Sequence, residues 1–385
     1  MLNFGSKVPG VVQTGPYLAV ATVWSVVTSP QQDQLVYVHG GELGLSREQL
    51  NGKLVVLDTA GAPIDDAQVL ARVHALSIPP AWTDVWIAAD DNAHLQATGL
   101  DSRGRRQYLY HPLWRARRDE QKFEDMLEFA ERLPTIRATS RALLEPDHHG
   151  REQILALAVR LLDIGLFRVG WDRYARDNGH VGLTTLRREH VSVSEGEVRF
   201  DYVAKSGKRR RMTVNDPQSV RALAALKRRR GPPDELLTYR AHGHWHRVHA
   251  PDVNDALRSW AQGPYSAKEF RTWAATVLAE VALARQEAAG RRDQRAVNRA
   301  VKEVSVALGN TPAVARKSYI DPRVISLFED GVVIELPDEA LAAPEPLWIE
   351  ATSDGVVMEL PTDVDGDAVR LEIEQRVRGL LSASR

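Results

Sequence analysis

The apolar residues of this chain change their period partway along it, and a segment patterned for one kind of secondary structure does not sit stably in the other. From about Gly52 to Leu109, short runs are separated by Gly, Asn and Asp clusters. They are Lys53-Leu54-Val55-Val56-Leu57, Thr83-Asp84-Val85-Trp86-Ile87-Ala88 and His94-Leu95-Gln96-Ala97-Thr98, and they read as strands and turns. From Asp119 the spacing becomes helical: Phe123, Met126, Leu127 and Phe129 share a face, and Ile154 to Leu166 makes a strongly apolar helix. Alternation returns between Val191 and Val214 around the turn Lys205-Ser206-Gly207-Lys208, which predicts a β-hairpin or three-stranded sheet inserted among helices.

The expected fold class is therefore α+β, a small β-rich amino-terminal domain followed by a larger, mainly helical one with an inserted hairpin. With 385 residues there is room for two cores and tails. The reading along the chain is a leader of unassigned role at 1–45, a β-rich domain at 46–115, a helical domain at 116–330 and an acidic extension at 331–385. The last contains Pro337, Pro344, Pro346 and Pro361 and reads as an appended tail. Two helix starts are explicit. Ser266-Ala267-Lys268-Glu269 is a capping box, so a helix begins at Ala267 and runs through Arg271. Thr311-Pro312 is an N-cap followed by proline at the first helical position, opening a short helix that carries Tyr319.

There is no cysteine, which excludes disulfides, thiolate catalysis and thiolate zinc sites and fits a reducing compartment. The apolar stretch from Tyr17 to Val27 is far short of a membrane span and lacks a small-residue cleavage site; it reads as a buried strand or a leader. The formal net charge of −1 hides a division. Residues 1–100 carry 4 basic and 9 acidic side chains, 101–320 carry 41 and 27, and 321–385 carry 5 and 15. A basic body between acidic ends is the pattern of a polyanion-binding domain with weakly coupled tails, although such an excess also arises on solvated surfaces.

Arg168, Lys205, Lys268, Arg271, Asn310 and Tyr319 stand out by their settings. Arg168 closes an apolar helix where a core would take another hydrophobe. Lys205 sits at a hairpin tip, and Lys268 and Arg271 lie three apart in the first turns of a helix, where free backbone N–H groups also favour anions. Paired guanidiniums can hold both non-bridging oxygens of a phosphodiester, and an ammonium can protonate a departing oxygen. A phenol with a pKa of about 10 is a weak nucleophile, yet its phosphodiester is readily reversed because phenolate leaves easily. Each residue alone has an ordinary surface or packing explanation.

Several motifs carry a resemblance. They are Leu76-Ser77-Ile78-Pro79-Pro80-Ala81-Trp82 with Val85-Trp86-Ile87, and Gly104-Arg105-Arg106-Gln107-Tyr108-Leu109-Tyr110-His111. Next come Phe167-Arg168-Val169-Gly170, Tyr174-Ala175-Arg176-Asp177-Asn178-Gly179 and Gly182-Leu183-Thr184-Thr185-Leu186. The last are Lys205-Ser206-Gly207, Ala267-Lys268-Glu269-Phe270-Arg271-Thr272-Trp273, and Leu308-Gly309-Asn310-Thr311-Pro312 leading to Ser318-Tyr319-Ile320. In this order, from about Asp58 to Pro322, they resemble the type IB DNA topoisomerases of the bacterial and poxvirus kind. The resemblance implies a bilobed clamp, a monomer closing on double-stranded DNA in the cytoplasm, that relaxes supercoils without ATP, metal or any other cofactor. It implies Tyr319 as the nucleophile forming a 3′-phosphotyrosyl link, Arg168 and Arg271 as ligands of the scissile phosphate, and Lys205 as the general acid. Asn310 falls where many relatives have a histidine that bonds a non-bridging oxygen. Arg105, Gln107, Tyr108, Tyr110, Tyr174 and Lys268 match DNA-contacting positions.

Residues 1 to about 45 match nothing in that family, Ala204 replaces a customary Gly before Lys205, and the tail after Asp330 lies outside the resemblance. Three other readings remain open at this point. A tyrosine recombinase shares the Arg, Lys, Arg and Tyr chemistry, but usually has a histidine where this chain has Lys268, and lacks the segment from Gly104 to His111. A purely DNA-binding protein explains the charge but not the tyrosine. His242, His244, His246 and His249 suggest a metal, although alternation around Trp245 without a carboxylate ligand set favours a surface turn. Tyr265 is the alternative nucleophile.

Overall fold

A computed structural model describes residues 34–145, 149–342, 350–352, 355–358 and 364–384. The apolar stretch Tyr17 to Val27 lies outside them. The chain divides into two compact units, Met1–Asp119 and Glu120–Arg385.

In the first unit, strands β1 (Gly44–Leu50), β2 (Lys53–Leu57), β3 (Thr83–Ala88), β4 (Leu95–Leu100) and β5 (Arg106–Tyr110) form one antiparallel sheet in the order β2-β1-β3-β4-β5. Helix α1 (Ala67–Ala75) lies between β2 and β3 in the chain and starts at Asp66, whose side chain caps two backbone N–H groups. The β1–β2 turn is Asn51-Gly52 with both residues at positive φ, the conformation that matches strand twist in a two-residue hairpin. Leu45, Val73, Ile78, Val85, Ile87 and Ala97 form the core of this unit. Strand β1 begins at Gly44, so the sheet takes in the end of the segment read as leader.

Helix α2 (Pro112–Leu144) starts seven residues before the helical spacing becomes visible in the sequence. Its opening residues are almost all exposed, so no apolar face marks them; the first buried positions are Phe123, Met126 and Leu127. The second unit continues with α3 (Arg151–Gly165), α4 (Asp172–Asn178), β6 (Val191–Ser194), β7 (Glu197–Val203), β8 (Arg209–Val214), α5 (Pro217–Arg228), β9 (Thr238–Ala241) and β10 (His244–Arg247). Then come α6 (Ala250–Ala261), α7 (Ala267–Ala288), α8 (Gln294–Leu308), α9 (Pro312–Ser318), α10 (Pro322–Glu329), α11 (Asp338–Ala342), β11 (Glu350–Thr352), β12 (Gly355–Met358) and α12 (Val364–Ala383). Helix α3 is buried on every side from Gln153 to Gly165, and α7 from Phe270 to Ala284, which is why their sequences are apolar around the whole circumference.

The inserted sheet is larger than a three-stranded one: β6, β7 and β8 are antiparallel neighbours, and β12 adds in parallel to β8 with β11 outside it. The segment beyond Asp330, read as a loosely coupled tail, is built into this unit. Ile373, Val377 and Leu381 of α12 are fully buried. Its acidic character does not keep it in solvent, because one of its carboxylates is an interior partner. Arg137 donates to Glu374 at 2.7 and 2.9 Å and to Asp163 at 2.9 Å, while Arg370 donates to Asp163 at 2.7 Å and Glu374 at 3.1 Å. Arg160 extends the network to Asp216 at 2.9 Å. Three guanidiniums face three carboxylates, all buried, so the group is neutral.

Candidate active site

The site grows from the carboxyl ends of α3 and α8 and from the first turns of α7. Helix α3 ends at Leu166, which takes the left-handed conformation at φ 48°, and Phe167 turns inward against Phe200 at 5.1 Å and Tyr202 at 6.1 Å between ring centres. The next residue, Arg168, is partly exposed. Its backbone is pinned where two stretches cross. Leu183 N–H donates to the Arg168 carbonyl and Thr184 N–H to that of Val169, each at 2.8 Å. The crossing requires glycine on both sides: Gly170 sits at φ +85°, and a Cβ there would lie 2.9 Å from the Gly182 backbone. The two motifs ending and beginning in these glycines are thus one structural joint.

Arg271 lies on α7, which begins as its capping box predicts, with Ser266 Oγ accepting from Lys268 N–H and Glu269 accepting at 2.8 Å from Ser266 N–H. The guanidinium is 3 % exposed. It donates to the Leu166 carbonyl at the end of α3 and, at 2.8 Å, to the Leu308 carbonyl at the end of α8. These bonds use two of its five N–H groups, the guanidinium also hydrogen-bonds Tyr319, and Nε has no partner among the described residues. Helix α8 closes at Gly309, in the left-handed conformation at φ 62°, and delivers Asn310. Arg168 donates to Asn310 Oδ1, which leaves Asn310 Nδ2 buried and without a partner among the described residues. Lys208 Nζ donates to the Asn310 carbonyl at 3.2 Å.

Tyr319 follows α9, which Thr311 caps and Pro312 opens. Its carbonyl accepts from Thr276 Oγ1 at 3.3 Å, and that hydroxyl in turn accepts from Asp321 N–H at 3.1 Å. Thr276 is five residues along α7 from Arg271, so one helix supplies the guanidinium and fixes the tyrosine backbone. The Arg271 guanidinium carbon stands 5.2 Å from the centre of the Tyr319 ring. Burial opposes ionisation of the phenol. The charge and hydrogen bonding of Arg271, with the charges of Arg168 and Lys205, outweigh it and hold Tyr319 below the ordinary tyrosine value. Burial, then the charge of Arg168, lowers Arg271 from the ordinary guanidinium value, with Tyr319 acting in the opposite sense. Lys205 stands exposed in the loop between β7 and β8.

The other predicted residues divide. Lys268 is exposed one turn before buried Arg271, so the two do not share one environment. Tyr265 is 7 % exposed with its ring 5.5 Å from that of Phe129, a packing role. The side chain of Tyr174 lies outside the described residues. In the first unit, Tyr108 and Tyr110 stack at 6.2 Å on one face of edge strand β5, with Tyr108 51 % exposed. Gln107 is on the other face, where it donates to Asp101 at 2.8 Å, and Arg105 pairs with the same carboxylate at 2.7 Å. Asp101 sits well below the usual carboxylate range, first because of the bond from Arg105. His244 and His246 project from β10 to solvent, and His249 Nδ1 lies 2.8 Å from Asp172. Sequence reasoning missed Thr276, Lys208 and Arg210; the last stands out only as the middle of three consecutive arginines on a strand whose alternation turns it inward.

Comparison with known proteins places the chain among named families and relatives. Residues 111–330 match the family described as eukaryotic DNA topoisomerase I, catalytic core, and residues 56–101 match bacterial DNA topoisomerase IB, N-terminal domain. The chain is 26 % identical over 301 residues to DNA topoisomerase 1B of Acanthamoeba polyphaga mimivirus, covering 75 % of this chain and 88 % of that protein. It is 19 % identical over 288 residues to DNA topoisomerase 1B of Vaccinia virus strain Copenhagen, covering 73 % and 88 %. Over 161 residues it is 30 % identical to DNA topoisomerase 1 of Candidozyma auris, covering 41 % of this chain and 20 % of that one.

Proposed function

The chain belongs to the type IB DNA topoisomerases, and on that premise we propose that it cuts and reseals one DNA strand through Tyr319, with Arg168, Lys205, Arg271 and Asn310 serving the scissile phosphate. Membership in this family decides against the recombinase and against a protein that only binds DNA. The observation that supports the residue assignment is geometric: the Arg271 guanidinium bridges the ends of α3 and α8 that deliver Arg168 and Asn310, which bond each other, and stands 5.2 Å from the Tyr319 ring.

In the forward step the Tyr319 oxygen attacks phosphorus, losing its proton to solvent, and the bond from phosphorus to the 5′ oxygen breaks. Arg168 and Arg271 hold the non-bridging oxygens, whose charge grows in the transition state. Asn310 Nδ2, unpaired once Oδ1 accepts from Arg168, donates to one of them. It supplies a bond but no charge. Lys205 gives a proton to the departing 5′ oxygen. Resealing runs the same path backwards, with phenolate as leaving group, and the bond energy kept in the phosphotyrosine makes an external energy source unnecessary. Tyr108 and Tyr110, stacked on an edge strand, together with Lys268 and Tyr174, contact the duplex backbone in this reading, whereas Arg105 and Gln107 must first leave Asp101. We further infer a monomer that closes around duplex DNA and works on the nucleoid in the cytoplasm. Among the described residues no helix is long and apolar enough to cross a membrane.

Denaturant trapping tests the central assignment. Supercoiled plasmid incubated with the protein in EDTA without ATP becomes relaxed, and detergent traps an adduct whose peptide map contains Tyr319. Tyr319→Phe binds DNA but neither relaxes it nor forms the adduct; an adduct from that variant overturns the assignment.

A further inference from the structure

Arg210 is a charged residue that the reaction scheme leaves without a task, and it is buried at 6 % exposure beneath the site. It lies on β8 opposite Tyr202 of β7. Its Nη2 donates to the Gly165 carbonyl at 3.3 Å and the Ala307 carbonyl at 3.1 Å. Among the described residues its Nε and Nη1 have no partner, and no carboxylate acts on it. Burying a cation without a counter-charge is costly, so this side chain calls for a compensating role.

The positions of its two acceptors supply one. Gly165 and Ala307 are the residues immediately before Leu166 and Leu308, the pair that Arg271 bridges. Two residues further along each strand of chain are Arg168 and Asn310, which bond each other directly. The ends of α3 and α8 are therefore joined by three successive arginine rungs, at 165 with 307, at 166 with 308 and at 168 with 310. Helix carboxyl ends present unpaired carbonyls and a partial negative charge, which is why a guanidinium suits each rung. The innermost rung also constrains the turn between them: a Cβ on Gly309 would stand 2.8 Å from Arg210 Nη1, so the left-handed glycine that delivers Asn310 is shaped against this side chain.

We propose that Arg210 is a positioning residue for strand cleavage, a buried clamp that sets the separation of the α3 and α8 ends and so places Arg168 and Asn310 for the scissile phosphate. The inference rests on the reaction assigned above. It acts through Arg168 and Asn310 rather than by touching DNA, because its guanidinium is enclosed by the two helix ends and the β7–β8 hairpin.

A double-mutant cycle tests it, using single-turnover cleavage of a duplex with a short scissile strand that cannot be resealed. Arg210→Met is expected to cleave at least about tenfold more slowly at saturating enzyme, with DNA affinity within about twofold of the parent. Asn310→Ala slows cleavage on its own, and the double variant falls no more than about threefold below the slower single variant, because both changes disable the same group. Cleavage by Arg210→Met at the parental rate overturns the proposal. So does a loss confined to DNA affinity, or losses that multiply in full. Should Arg210→Met not fold, Arg210→Lys enters the same cycle. It keeps the charge but not the planar fork across two carbonyls, and cleavage at the parental rate overturns the proposal equally. Tyr319→Phe run in parallel separates the two levels of inference: cleavage by that variant removes the nucleophile assignment, while the Arg210 comparison is read against the parent protein.

Discussion

Replacing Glu374 by Ala takes one of three carboxylates out of an enclosed network of six charges. Glu374 receives two bonds from Arg137 and one from Arg370, and each of the three residues is less than one tenth exposed. Afterwards Arg137, Arg160 and Arg370 face only Asp163 and Asp216, which leaves a net buried cation. Breaking such a pair from one side costs about 3–5 kcal/mol. At about 2–4 °C per kcal/mol for a domain of this size, the melting midpoint of the helical unit should fall by roughly 10 °C. Thermal melts followed by circular dichroism measure this directly. Double replacement of Arg370 and Glu374 by Met restores balance, two guanidiniums against two carboxylates, and is expected to cost less than Glu374→Ala alone. If the single variant melts within about 2 °C of the parent, or the double variant is the worse of the two, then α12 is not held through this network. The consequence reaches the candidate site because Asp163 lies in the last turn of α3, five residues before Arg168. Above its lowered midpoint the variant should lose cleavage together with the circular dichroism signal.

Two further expectations concern single groups. Lys205→Ala should slow cleavage more than it weakens DNA binding, and a substrate with a 5′-thiol leaving group, which needs less protonation, should recover most of the rate; absence of recovery removes Lys205 from the acid role. Glu280, fully buried on α7 with only Ile334 N–H as a donor among the described residues, is pushed up to about 7 by burial. An acid whose folded pKa exceeds its unfolded value of about 4.3 takes up protons on folding, so its contribution to stability falls by about 3 kcal/mol as pH rises from about 4 through 7. Glu280→Gln should melt higher than the parent at pH 8 and close to it at pH 4, and a parallel pH dependence in both proteins refutes the assignment.

How much of this was legible beforehand follows from the range over which local rules operate. The capping box at Ser266, the Thr311-Pro312 start and the alternation around Lys205 are contacts between residues two to four apart, so the sequence states them outright. The opening of α2 was invisible because a fully solvated helical stretch has no apolar period. The acidic carboxyl-terminal segment was misjudged for a related reason: charge predicts exposure unless an opposite charge is waiting inside, and Arg137 and Asp163 are more than two hundred residues away from Glu374 and Arg370.

The sequence by itself determined most element types and the helix starts at Ser266 and Thr311, because these depend on backbone propensity and on contacts a few residues long. Tertiary structure decided which side chains meet. The rungs that join α3 to α8 connect residues separated by 37 to 142 positions, and the bond from Arg168 to Asn310 exists only because two helices end side by side. Burial of Arg210 and the hold of Thr276 on Tyr319 belong to the same class, since a lone arginine or threonine has no local signal for what a distant carbonyl will offer it.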